Sequence, residues 1–114
     1  MLLADFLHKL DVEPELIEFG DSMSVIDSYY HFLPTAFRNG ELMNAAGQNA
    51  GSCKLFAFAQ LHGLSKQQAL NCFGAYYRKD VLENPDGKDH GNIRNFIKYG
   101  WQGIHYEGQA LQER

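Results

Sequence analysis

The sequence predicts a single α+β domain over residues 1–114: a small antiparallel sheet, made of a central hairpin and a C-terminal strand, packed with helices around a single-layer core. The helices should number about four to five, because that many segments repeat their apolar residues at helical spacing. The hairpin is predicted by Asn39-Gly40, a pair tolerant of positive φ, set between two short runs rich in strand-forming residues. The C-terminal strand is predicted by alternation in GIHYEG. With 114 residues, 45% of them apolar and 13% aromatic, the chain is long enough to bury somewhat under ~70% of its unfolded surface.

Each element has its own local reason. Leu2, Leu3, Phe6, Leu7 and Leu10 give an amphipathic N-terminal helix that Pro14 closes. Leu16 to Phe19 reads as a short strand or a helical turn. After Gly20, Asp21 or Ser22 can cap a helix whose inner face is Val25, Ile26, Tyr29 and Tyr30. In the hairpin, taking Asn39-Gly40 as the loop sets Arg38 opposite Glu41, Phe37 opposite Leu42 and Thr35 opposite Asn44, an opposite-charge pair followed by an apolar one. Ser52 is a candidate N-cap for a helix from Cys53 to about His62, apolar around most of its circumference and therefore the central buried helix. Gly63 ends it. Ser65 and Gln68 then form a capping box for a helix running to about Leu82, with Leu70, Phe73, Tyr77 and Val81 inward. A turn at Asn84 to Gly87 leads to a last helix, capped by Asp89, with Ile93, Phe96 and Ile97 inward and Gly100 at its end.

Several functions are excluded at this level. The formal charge is −4 and the basic residues are scattered, so no cationic face is expected for nucleic acid. No apolar run approaches the ~20 residues needed to cross a bilayer, so no membrane partner is expected. MLLADFLHKL has an acid early and no cationic leader, unlike a secretory signal. Cys53 and Cys72 fit reduced thiols in a cytoplasm better than a disulfide framework. The five histidines show no HExxH and no paired-cysteine spacing, so neither a metal nor a cofactor is expected.

Two stretches stand out as a candidate site. AGQNAGS runs into Cys53 and Lys54 at the start of the central helix, where unpaired N–H groups and the helix dipole favour an anion or polar ligand. The glycine spacing is not that of a phosphate loop, which needs a longer gap and a lysine directly after its second glycine. DHGNIRNF, followed by YGW, concentrates polar groups at the last helix. Asn49, Gly51, Ser52, Cys53 and Lys54 from the first stretch are therefore candidate ligand-binding residues. His90, Asn92, Arg94 and Trp101 join them from the second, Trp101 as a wall. The partner would be an unidentified protein or a small polar ligand. The alternative is a thiol-dependent enzyme. Cys53, its pKa lowered by the dipole and Lys54, would be the nucleophile. His90, or else His31 or His105, would be its base, with Asn49, Asp89 or Asn92 as orienter. Against both stands a packing account: a tight turn admitting a crowded helix, a small buried cysteine, and an Arg94 paired with an acid.

Taken together, FGDSMSVID, FLPTAFRNG, NAAGQNAGSCKLFAFAQLHGLS, FGAYYRKDVL, NPDGKDHGNIRNFIKYGWQGI and YEG resemble the HopJ type III effector family from about Phe19 to Leu111. The resemblance implies a small α+β protein named for members associated with type III secretion in bacteria that infect plants. It implies no reaction, cofactor or catalytic residue. Type III effectors usually begin with a mobile, serine-rich segment, whereas here an apolar helix is predicted from Leu2. The expectation is a protein of the bacterial cytoplasm, with secretion into a host cell as what the family name implies.

Overall fold

A computed structural model describes residues 1–114. In chain order it comprises α1 (Leu3–Val12), a 3-10 turn (Pro14–Leu16), α2 (Phe19–Tyr29), β1 (Tyr30–Phe32), β2 (Phe37–Asn39), β3 (Leu42–Asn44), α3 (Ala50–Leu61) and α4 (Lys66–Asn71). A π-helical segment (Tyr76–Val81), α5 (Gly91–Tyr99), a 3-10 turn (Gly100–Gly103), β4 (Ile104–Tyr106) and β5 (Leu111–Glu113) follow. The α+β class stands, with the hairpin strand β2 central in a three-stranded antiparallel sheet ordered β3-β2-β4.

The core is built around α3. Cys53, Leu55, Phe56, Ala57, Phe58 and Ala59 are all buried, so every side of this helix except its two ends needs a covering element. Phe56 meets Phe37 of β2, Phe73, Phe96 of α5 and Trp101, with ring centroids 4.7 to 6.3 Å apart. Phe58 meets Phe6 of α1 and Tyr30 of β1 edge-on. Such tilted contacts suit the ring quadrupoles and add to area burial. Leu61 departs from the expected inner surface and is 57% exposed in the last turn.

Five local expectations change. The hairpin is shifted by one residue: Phe37 pairs with Asn44, Arg38 with Met43 and Asn39 with Leu42, so Gly40-Glu41 is the loop. Only Gly40 takes positive φ there (+62°), the pattern of a type II′ turn rather than I′. The reason is that Asn39 is wholly buried, its amide bound to Asn92, and so belongs to the strand. The N-cap of α3 is Asn49, not Ser52, and that of α5 is His90, not Asp89. The helix from Ser65 does not run through to Leu82. Gly74 at φ +61° breaks it, and a Cβ there would come within 2.7 Å of the Phe19 backbone nitrogen. The start of α2 packs into the space that glycine leaves. At that start Asp21 sits inside the helix, accepting from the Glu18 N–H at 3.0 Å, while buried Ser22 donates to the Cys72 carbonyl.

Two features match. Ser65 and Gln68 form the reciprocal capping box, at 3.1 and 2.9 Å. The C-terminal strand does join the hairpin, with Arg38 opposite His105. A second, two-stranded sheet was not foreseen: β1 pairs with β5, Tyr30 opposite Glu113, tying the chain's end back to α2.

Two substitutions check this frame by thermal melting. Ser65→Ala is expected to cost about 1 kcal/mol through loss of the cap. Gly40→Val is expected to cost ~3 kcal/mol or more, because a β-branched residue resists positive φ and a Cβ at Gly40 would fall inside the Tyr99 ring. A harmless Gly40→Val would contradict the observed register.

Candidate functional site

The starts of α3 and α5 open onto one cavity of about 410 Å³. Asn49, Gly51 and Ser52 line it from α3, and His90, Gly91 and Asn92 from α5. The rest of the lining is apolar: Phe19, Leu42, Phe73 and Tyr76, with Ile93 from α5 itself. Gly51 passes so near Phe19 that an added Cβ would lie 2.7 Å from its ring. The Phe19 ring stacks on Phe73 and tilts against Tyr76, and Tyr76 in turn lies against His90 at 5.1 Å.

Both helices begin in the same unusual way. Asn49 (φ 53°, ψ 49°) and His90 (φ 52°, ψ 50°) are the chain's only non-glycine residues at positive φ, and each occupies an N-cap. A capping side chain ordinarily accepts from an N–H of the first turn. Neither does so here. The Asn49 amide donates to Asn44 Oδ1 at 2.6 Å, and His90 Nε2 lies 3.0 Å from Asp80 Oδ2. The first backbone bonds are Cys53 N–H to Asn49 C=O and Arg94 N–H to His90 C=O. The N–H groups of Ala50, Gly51 and Ser52, and of Gly91, Asn92 and Ile93, therefore have no partner in the chain. Two helix starts, each equivalent to roughly half a positive charge, face one recess.

Two buried asparagine side chains, Asn39 and Asn44, lie behind them. Asn44, fully buried, is saturated: its oxygen accepts from Asn49 and Asn92, and its nitrogen donates to Asn92 Oδ1 and the Phe37 carbonyl. Asn39 donates to Asn92 Oδ1 and to the Asn92 carbonyl. Its own Oδ1 is the one buried side-chain polar atom left without a partner.

Of the residues expected at the site, Asn49, Gly51, Ser52, His90 and Asn92 come together on this cavity, and Cys53, Lys54, Arg94 and Trp101 do not. Lys54 points away, paired with Asp27 at 2.8 Å and lying over the Phe32 ring, because a residue two positions past Ser52 emerges on another side of the helix. Arg94 turns back onto its own loop, bonding the Asp89 carboxylate and the Asp89 and Asn84 carbonyls. In return it holds the Asp89 carboxyl below its usual range. Trp101 packs on Phe56 and Phe96 in a separate hollow, its Nε1–H donating to the Leu64 carbonyl.

Cys53 is 1% exposed, and its thiol points to the Thr35 carbonyl at 3.5 Å. Burial pushes that thiol up rather than down, since the loss of water around the thiolate is the largest influence on it. Cys72 is pushed up to about 12 for the same reason. No imidazole bonds to either sulfur. His31 sits at 3.3 Å from Arg114, and His105 is exposed on the sheet. The thiol arrangement expected for a nucleophile is thus absent, and Cys53 packs as a small core residue. The apolar wall was missed from sequence because Phe19 and Tyr76 enter it through the Gly74 break, which no periodicity announces.

Comparison with known proteins agrees with the fold. No curated protein matches the chain. A solved crystal structure described as an unknown-function protein, VPA0580, superposes with a TM-score of 0.98 at 50% identity, over 100% of this chain and 95% of that one. Residues 3–111 match the family described as HopJ type III effector protein. With nearly every element inside that match, the chain belongs to the HopJ type III effector family.

Proposed function

We propose that this HopJ protein is a non-enzymatic binding domain whose cavity between α3 and α5 takes a small polar ligand. The favoured class is a carboxylate or similar anionic group on a flat apolar body. The observation that carries this is the cavity's two-sided chemistry. The helix starts offer unpaired backbone N–H donors beside the hydroxyl of Ser52 and the imidazole of His90; Phe19, Phe73 and Tyr76 offer flat apolar surface. A volume of about 410 Å³ falls within the roughly 300–1,000 Å³ typical of small-molecule sites. Anionic groups are favoured at helix starts because the donors are already aimed and need no reorganisation. The inaccessible, protonated Cys53 weighs against thiol catalysis. The family name supports export by a type III system, so that a protein made in the bacterial cytoplasm works inside a host cell.

Calorimetric titration with benzoate, phenylacetate and inorganic phosphate tests the binding. The aromatic carboxylates are expected to bind saturably and phosphate more weakly, for want of an apolar body. Ser52→Asp is expected to weaken benzoate roughly tenfold or more by like-charge repulsion. It should leave melting unchanged or raised, since an acid in a helix's first turn is favourable. Equal binding by Ser52→Asp, or none by the wild type, would remove the reading.

Iodoacetamide provides a separate check on the thiols. Both cysteines are expected to stay unmodified in the native protein at pH 8 and to react once guanidinium unfolds it. Rapid native labelling of Cys53 would restore the thiol enzyme.

Export is read from a reporter fused to residues 1–20. It is expected to leave cells with an intact type III system and to stay in a secretion-null strain. Retention in both would put the protein's work in the bacterial cytoplasm.

A further inference from the structure

Asn44 lies outside the cavity lining yet touches both of its polar edges. Its carboxamide oxygen accepts from Asn49 Nδ2 at 2.6 Å and from Asn92 Nδ2 at 3.0 Å, and its nitrogen donates back to Asn92 Oδ1 at 3.2 Å. Asn49 begins α3, and Asn92 lies in the first turn of α5. One side chain on the edge strand β3 therefore clasps two helix starts that are separated by about forty residues of chain.

Such a buried amide is not explained by stability alone. Well-packed apolar residues of similar volume are commonly as stabilising as a buried polar network, and the network here carries a cost, since Asn39 Oδ1 remains unpaired. What the amides supply is direction. Asn44 uses both donors and both lone pairs, so its orientation is determined, and through it those of Asn49 and Asn92. By drawing the Asn49 side chain away from its own helix, it also prevents that side chain from capping α3 and leaves the N–H groups of Gly51 and Ser52 free. Left-handed backbone at Asn49 is the local strain that accompanies this diversion.

We infer that Asn44 is a positioning residue for the cavity: without touching a ligand, it holds the starts of α3 and α5 in the mutual arrangement that binds one. The inference rests on the binding reading above and adds a determinant of affinity that lies behind the site.

Calorimetry with benzoate on the full chain tests it. Asn44→Ser is expected to bind on the order of tenfold more weakly than wild type, because support lost behind a site loosens its donors. Ser65→Ala, which removes a helix cap remote from the cavity, lowers the melting temperature and is expected to keep wild-type affinity. That contrast separates positioning from general destabilisation. Should Asn44→Ser fail to fold, the wild-type protein still decides the matter by NMR. On benzoate addition the Asn44 side-chain amide resonances are expected to move at the same saturation as those of Asn49 and Asn92. Binding undiminished in Asn44→Ser, or unmoved Asn44 resonances in a wild type that binds, overturns the proposal and leaves the cavity reading intact. A wild type that does not bind benzoate overturns the cavity reading and with it this role for Asn44.

Discussion

A helix that is apolar almost all the way round must be covered from every side, and the rest of this chain is arranged as that cover. Phe56 and Phe58 of α3 between them meet rings from α1, β1, β2, α5 and the segments around Phe73 and Trp101. Burying such a side chain is worth roughly 1.5–3 kcal/mol relative to exposure, so no arrangement that uncovers α3 competes. The consequence for function is geometric. Apart from Lys54, only the end turns of α3 reach the surface, and its N-terminal end emerges where α5 also begins. The cavity is the place where the cover stops.

What makes the cavity polar is a set of diverted caps rather than a set of charged side chains. Lys54 is 19% exposed, and both it and Arg94 are engaged by acids, Asp27 and Asp89, facing away from the recess. The protein as a whole carries −4. The donors on the recess are backbone N–H groups, left open because Asn49 and His90 turn their side chains to Asn44 and Asp80. A donor set built this way has no ionisable group of its own except His90. Its strength depends on orientation, which is why the buried asparagines behind it matter more than the nearest cations.

The sequence was legible where one residue type answers one local demand. Ser65 and Gln68 announced their capping box, the alternation around His105 announced a strand, and the apolar circumference of Leu55 to Ala59 announced the central helix. Legibility failed where a tertiary partner overrode the local signal. Asn39-Gly40 reads as a turn pair until Asn92 draws Asn39 into the core, which moves the loop by one residue and each cross-strand partner by two, so that Phe37 meets Asn44 instead of Leu42. Asp89 reads as a cap until Arg94 takes its carboxylate. The pairing of β1 with β5 joins segments some eighty residues apart and has no local signal at all. At the site, the polar residues of both helix starts could be nominated from sequence. Which of them share a cavity could not, because that depends on the helical phase that sends Lys54 to one side and Ser52 to the other.

His90 shows how these strands of reasoning meet. In sequence it is one polar residue among several before a helix, and a lone histidine there has many possible roles. In the structure its left-handed backbone starts α5, its ring lies against Tyr76, and Nε2 is taken by Asp80. The imidazole thus bridges the polar and aromatic walls of the recess, belonging to both. Asp80 sits on the π-helical segment, which begins two residues after Gly74, where the missing Cβ lets the Phe19 backbone approach. One glycine at positive φ thus stands where the Phe19 backbone packs and just ahead of the segment that carries both Tyr76 and the partner of His90. The recess lies beside that break, which periodicity alone does not predict: Phe73 and Tyr76 flank Gly74, and the ring of Phe19, whose backbone packs on Gly74, lies against both.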